Sequence, residues 1–386
     1  MKRILALFLV VSSFVVFSGT SSASIKPGTS CSPKGKISIF GGVKYTCVLS
    51  GKKLVWNKGI KIPTASTTST TTTFVAPTTT TTLTQSGHFT FANVLDHVGE
   101  IPLAAWNSIQ DAYLANSAVT SIPLTLHLGP TTTLTDSNPV EVVQKTMRLW
   151  KNFQQPKTAD LIYYNSADQD WALTTSQTIF GNCAGFNAPL LSSGGGNMGM
   201  CSTQNAVGRV LQPSSNASTY MTYGVWTHEY THSVQTAQWI GKSSNPAYAI
   251  QQVISCWFQE GQAMAISATG TSTFAQYSSI RTNEAGRVVP SFTDYSSTAI
   301  QDFLFNQVPL SCSSSANFQL GYSVGFFTVE ALVAIGGASS TMQLLVAQSN
   351  GMTFAQAFQS VYGISWLEGS KILAQVVVAE RKLMGY

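Results

Sequence analysis

His228-Glu229-Tyr230-Thr231-His232 is the stretch on which the reading of this 386-residue chain turns. Histidines at i and i+4 lie one turn apart on the same helical face, so both imidazoles can reach a single ion. The glutamate directly after the first histidine cannot join them as a ligand from the same turn. It projects beside the ion, where it can hydrogen-bond a water and take its proton. The chain has five histidines, and two of them fall in this pentapeptide. Val225, Trp226, Tyr230, Val234 and Trp239 recur around it at roughly helical spacing, which predicts a buried helix.

A catalytic metal of this kind needs a third protein ligand. Working downstream, the candidate is Glu260 in Trp257-Phe258-Gln259-Glu260-Gly261-Gln262-Ala263. Its neighbours Ile254, Trp257, Phe258, Met264 and Ile266 predict burial, and a buried carboxylate is costly unless paired or metal-bound. Pro246 is expected to start the helix that carries it, with Glu260 well inside. Asp168-Gln169-Asp170 is too weak a pattern to define a calcium site.

These residues resemble the gluzincin metallopeptidases, whose His-Glu-x-x-His motif is followed on a second helix by a glutamate ligand, often as Trp-x-x-Glu-Gly-x-Ala. The resemblance continues in Tyr322-Ser323-Val324-Gly325, which looks like the Tyr-x-x-Gly helix of zinc aminopeptidases and peptidase MA-like domains. Met352 to Phe358 and Tyr362-Gly363 resemble the end of such domains. In all, the similarity runs from about Thr227 to Trp366. It implies Zn2+ as cofactor, held by His228, His232 and Glu260, with Glu229 as general base. Tyr322 either stabilises the oxyanion or is a core aromatic. The aminopeptidase Gly-x-Met-Glu-Asn motif is absent, so recognition of a free N-terminus is not implied. The implied activity is peptide-bond hydrolysis on a peptide or protein substrate. Rival readings are a zinc amidase acting on cell-wall amides, or a non-catalytic, cell-wall-binding protein that keeps the fold.

The rest of the chain sets the context. Lys2 and Arg3, the apolar run Ile4 to Phe17 and the small residues Ser21-Ser22-Ala23 predict a signal peptide over 1–23 and export. No later stretch is uninterrupted enough to predict a membrane span. Six cysteines in an exported chain predict disulfides, and no Cys-x-x-Cys spacing argues for cysteine ligands. Six cysteines allow 15 pairings; local pairing would give Cys31–Cys47, Cys183–Cys201 and Cys256–Cys312. The last would brace the Glu260 helix against the segment leading to Tyr322.

Residues 24–62 carry eight lysines and no Asp or Glu, while the chain beyond them is net negative. Ile37 to Phe40, Gly41-Gly42 and Val43 to Cys47 predict a hairpin, and Leu54-Val55-Trp56 a third strand. This small basic β module resembles a short module found after the signal peptide in actinobacterial exported proteins. Its charge suits an anionic surface such as cell-wall polymer. A threonine-rich, uncharged stretch at 63–87 reads as a linker, and 88–386 as the main domain. That domain has a net negative count and no basic-aromatic stripe, so no nucleic-acid partner is expected.

Within it, a helix is expected over Ala104 to Ala115, strands over Ile122 to Leu128 and Leu161 to Tyr164, and a helix opening at Pro139. Glycine-rich sequence follows from Gly181 to Gln204, and mostly helix from Tyr220 on. The fold class is therefore α+β. The resemblance makes it a zincin-like domain with a small α/β N-terminal part and a mostly helical C-terminal part. Gly194 to Gly196 and the strand-like Met198 to Met200 are candidates for the cleft border, because gluzincins bind substrate along an edge strand.

Overall fold

The computed structural model describes residues 26–32, 34, 37–40, 43–61, 89–116, 122–134, 138–180, 189–190, 194–200, 204–214, 224–306, 312 and 314–386. The predicted signal segment, the threonine-rich linker and the Cys183–Cys201 pair lie outside the described residues. The chain divides into two units, Met1–Thr79 and Thr80–Tyr386.

In the first unit, β1 (Ile37–Phe40) and β2 (Val43–Ser50) pair antiparallel, with Phe40 opposite Val43 across a two-residue connection. Strand β3 (Lys53–Trp56) pairs with β2, and the short β4 (Ile60–Lys61) pairs with its start. So few strands bury little apolar surface. The disulfide Cys31–Cys47 supplies a covalent staple, and Cys47 sits opposite Trp56, both buried.

The second unit is mixed α/β. Strands β5 (Leu124–Leu128), β6 (Thr158–Tyr164), β7 (Gly196–Met200) and β8 (Asn205–Leu211) form one sheet in the order β5-β6-β8-β7. The first three are parallel, and parallel neighbours need a crossover. Helix α1 (Ile101–Ala115) precedes the sheet, and the crossovers contain α2 (Pro139–Leu149) and α3 (Gln169–Phe180). Helix α2 begins as its sequence dictates: Pro139 fits the first turn, and the Asn138 side chain caps the Val140 amide. Strand β7 runs antiparallel to β8 and occupies the edge.

From residue 224 the described chain is helical: α4 (Val225–Ala237), α5 (Pro246–Gln251), α6 (Cys256–Thr271), α7 (Phe274–Ala285), α8 (Ser297–Asn306) and α9 (Ser315–Leu320). After a π-helical turn at Gly321–Gly325 come α10 (Phe326–Gly336), α11 (Ala338–Ser349), α12 (Phe354–Tyr362) and α13 (Trp366–Leu383). One core runs through these helices and the inner sheet face, with Trp257 stacked on Trp366 at 5.8 Å. The run Ser315–Gly336 is apolar and long enough to cross a membrane, but 83% of its most apolar window is buried inside the protein. It is the central helix of the core.

One expectation needs correction. Pro246 does open a helix, but that helix ends at Gln251, and Glu260 belongs to the next one. Ser255, in extended conformation, separates it from α5. Glu260 is thus the fifth residue of α6 rather than deep inside a long helix. The kink lets α6 point its first turns at α4.

Candidate metal centre

Helix α4 is buried nearly all round, from Val225 to Ala237. Such a helix must find partners for its polar side chains within the protein. Thr227 and Thr146 hydroxyls meet at 3.0 Å, Thr231 Oγ1 donates to the Thr227 carbonyl at 2.8 Å, and the Tyr230 hydroxyl donates to Gln155 Oε1 at 2.8 Å. These bonds anchor α4 inside the core, with His228 and His232 turned to one side, although Trp226 Nε1 and Ser233 Oγ are buried without a hydrogen-bond partner among the described residues.

That side faces α6. The Nε2 atoms of His228 and His232 are 3.1 Å apart, and Glu260 Oε2 lies 3.2 Å from the first and 3.5 Å from the second. The three residues offer ligand atoms all within 4.8 Å of one another, so the group could hold a metal ion. Two lone-pair nitrogens pointing at each other repel unless a proton or cation lies between them. The donor set therefore fits a cation on chemical grounds, not by proximity alone. Neither His228 nor Glu260 is more than 4% exposed, which makes an unpaired carboxylate there expensive.

Glu229 stands beside the trio. Burial pushes its carboxyl above the usual carboxylate range and Glu260 adds to this, opposed by both histidines and by the Met198 amide, which hydrogen-bonds it. Strand β7, which carries Met198, lies directly against α4: a Cβ at Gly196 would come within 2.7 Å of Val225 Cγ1 and 3.0 Å of Glu229 Cγ. Sequence reasoning missed the Met198 amide, and a backbone donor leaves no residue-type signal to find it by.

His232 and Glu260 shift in opposite directions. Burial disfavours the imidazolium of His232, but the Glu260 carboxylate outweighs it, followed by Glu229 and Gln235, so the group is pushed up to about 9. Burial would raise Glu260; the facing histidines overcome it and hold the carboxyl far below its ordinary value. A proton and a metal ion compete for the same His232 lone pair, so loading below that pKa must release the proton. Metal affinity is therefore expected to rise about tenfold per pH unit between roughly pH 6 and 8. Competition with a chelator of known pH behaviour measures this, and a flat profile would contradict it.

Tyr322 reaches the same place by another route. It sits on the π-helical turn, a local i→i+5 widening that recurs at functional sites. Its hydroxyl is 3.3 Å from His228 Nε2, and its ring stacks on the His228 ring at 5.4 Å. Phe318 packs edge-on at 5.0 Å, and the Arg287 guanidinium lies 5.4 Å over the ring. Glycines bring the turn this close to α6. A Cβ at Gly321 would fall 2.7 Å from Glu260 Cβ, one at Gly325 would overlap the Trp257 carbonyl oxygen, and one at Gly261 would overlap the Gly325 backbone.

Gly325→Ala should therefore destabilise the unit by about 1–3 kcal/mol, the usual cost of overpacking. That loss overrides the better helix propensity of alanine, about 1 kcal/mol. Thermal melts test it; an unchanged midpoint would mean the two backbones are not in contact.

The disulfide Cys256–Cys312 joins the first residue of α6 to the segment before α9. Its Cys312 sulfur lies 3.9 Å from Glu260 Oε1, so the bridge packs beside the carboxylate.

The fold and site together define the chain as a mixed α/β protein with a buried His–His–Glu group suited to a metal ion. It matches no family model, no curated protein and no solved structure. The geometry of the site therefore carries the functional argument.

Proposed function

We propose that this chain is an exported zinc metallopeptidase of the gluzincin type. The observation that carries the reading is the meeting of His228, His232 and Glu260 at 3.1, 3.2 and 3.5 Å between ligand atoms. Ligands bound tetrahedrally at about 2.0–2.1 Å stand about 3.4 Å from one another, so the spacings suit a small tetrahedral ion. Two imidazoles and one carboxylate favour zinc over calcium or magnesium, which prefer oxygen cages. Three protein ligands are also the number that catalytic zinc uses, with a fourth position open.

When bound, zinc supplies a Lewis-acidic centre that lowers the pKa of water to about 7. Glu229 takes the proton of the attacking water as its oxygen adds to the carbonyl carbon, then delivers that proton to the leaving amine. Its raised pKa suits both halves of the task. Tyr322 donates its hydroxyl hydrogen to the developing oxyanion. The edge position of β7 beside Glu229 supports an extended substrate lying along that strand.

The two described disulfides are compatible with an oxidising, extracellular setting. Lys26, Lys34, Lys52, Lys53, Lys58 and Lys61 are all exposed on the basic unit, which supports contact with an anionic surface.

Metal analysis of the purified chain, followed by profiling of peptide-library cleavage with and without chelator, tests the reading. The expected result is one zinc per chain and chelator-sensitive cleavage. A zinc-free chain, or cleavage indifferent to chelator, would overturn it.

A further inference from the structure

His232 Nδ1 lies 2.9 Å from Gln235 Oε1, and the bond does not end there. The Gln235 amide nitrogen donates to the Gln259 carbonyl at 3.0 Å and to Gln262 Oε1 at 2.8 Å. The Gln262 nitrogen donates to Thr341 Oγ1 at 2.8 Å, and that hydroxyl donates to the Ala338 carbonyl at 3.1 Å. Gln235, Gln262 and Thr341 are no more than 1% exposed, so water does not compete for these groups.

Side-chain amides can be reversed end for end, so their orientation has to be argued from what cannot be reversed. Two backbone carbonyls fix this chain. The Ala338 carbonyl only accepts, so Thr341 gives it its hydrogen and accepts from Gln262. Gln262 then turns its oxygen to Gln235. The Gln259 carbonyl also only accepts, so both Gln235 hydrogens are spoken for and its oxygen faces His232. The imidazole must then carry its hydrogen on Nδ1, which leaves Nε2 bare toward His228 and Glu260.

We infer that Gln235 and Gln262 form a polarised relay that sets the tautomer and aim of His232, and so how tightly the centre holds its metal. The relay also ties the site together. It runs from α4 to α6 and on to α11, and the Gln259 carbonyl it engages belongs to the residue just before Glu260. One side chain thus positions the second histidine against the third ligand. Gln235 and Gln262 are positioning residues that touch neither ion nor substrate.

The inference rests on the metal-site reading, and zinc affinity of the full chain, measured by chelator competition, separates the two. Wild type should bind one zinc, while Gln235→Met binds it roughly 10–100-fold more weakly, the usual effect of losing the partner of a metal-bound histidine. Gln262→Met, which removes no contact to His232, should weaken binding in the same direction. Gln235→Glu should fall between Gln235→Met and wild type: one carboxylate oxygen still accepts from Nδ1–H and enforces the same tautomer, but the bonds that Gln235 donates to Gln259 and Gln262 are lost. A merely structural clamp would lower the melting point of all three variants without that ordering. Wild-type zinc binding with an equally tight Gln235→Met would overturn the relay alone; no zinc in wild type would overturn the metal reading and the relay with it. Imidazole 15N shifts of His232 in the zinc-loaded wild type give a test independent of any variant's folding: hydrogen on Nδ1 is expected, and a metal-bound Nδ1 with hydrogen on Nε2 would refute the relay.

Discussion

Glu229→Gln is expected to leave the chain folded and zinc-loaded while lowering peptide turnover by roughly 10²–10⁴-fold, the usual contribution of a positioned general base. The substitution keeps size and shape in a buried pocket, and the amide oxygen can still accept the Met198 N–H. It removes a charge that burial already disfavours, so the melting point should hold or rise slightly. The metal should stay, because the ligand atoms come from His228, His232 and Glu260. What the variant lacks is a group to take a proton. Turnover at saturating substrate, measured beside zinc content, decides the matter. A zinc-loaded variant with normal turnover would remove Glu229 from the mechanism.

The second large effect concerns stability, away from the site. Arg281 on α7 lies between two fully buried carboxyls, with Nε 2.7 Å from Glu330 Oε1 and a terminal nitrogen 2.9 Å from Glu380 Oε1. Tyr277 also hydrogen-bonds Glu330. One guanidinium cannot balance two carboxylates in an apolar setting. Burial, reinforced by Glu330 and opposed by Arg281, holds the Glu380 carboxyl well above its ordinary value, which favours its neutral form.

Arg281→Met would strand Glu330 without its cation and should cost about 3–5 kcal/mol, a fall in melting point on the order of 10 °C. A carboxyl whose folded pKa is raised binds more protons folded than unfolded at pH values between its two pKa values. Its contribution therefore falls as pH rises, by up to about 1.4 kcal/mol per pH unit. Glu380 is such a group, so Glu380→Gln, which is neutral at every pH, should lose this dependence and gain in stability on wild type between pH 5 and pH 8. A Glu380→Gln variant whose stability runs parallel to wild type across that range would contradict a raised Glu380 carboxyl.

What the sequence made legible, it did through local rules. The His228–His232 spacing needs only helical periodicity, and Glu260 stood out as an acid in an apolar run. The two-residue gap between β1 and β2 and the start of α2 at Pro139 are likewise written in adjacent residues. The break between α5 and α6 was not legible, because no glycine or proline marks it between Ala247 and Glu260; Ser255 becomes extended only in the folded context. The π-helical turn has only Gly321 and Gly325 as a local sign, and it takes its shape from the close backbone of α6. Glu330 and Glu380 meet Arg281 from helices far along the chain, and Thr341 ends the glutamine relay 79 residues from Gln262. Such partners are set by packing, which no short window of sequence contains.

The Cys256–Cys312 bridge has a consequence of a different kind, for how the chain withstands a break in its backbone. It spans 56 residues, including Val288, which stands 81% exposed. A single cut at that exposed stretch would not release a fragment: the piece bearing Cys256 and the piece bearing Cys312 remain one covalent molecule. Glu260 and Tyr322 would stay tethered on either side of such a nick.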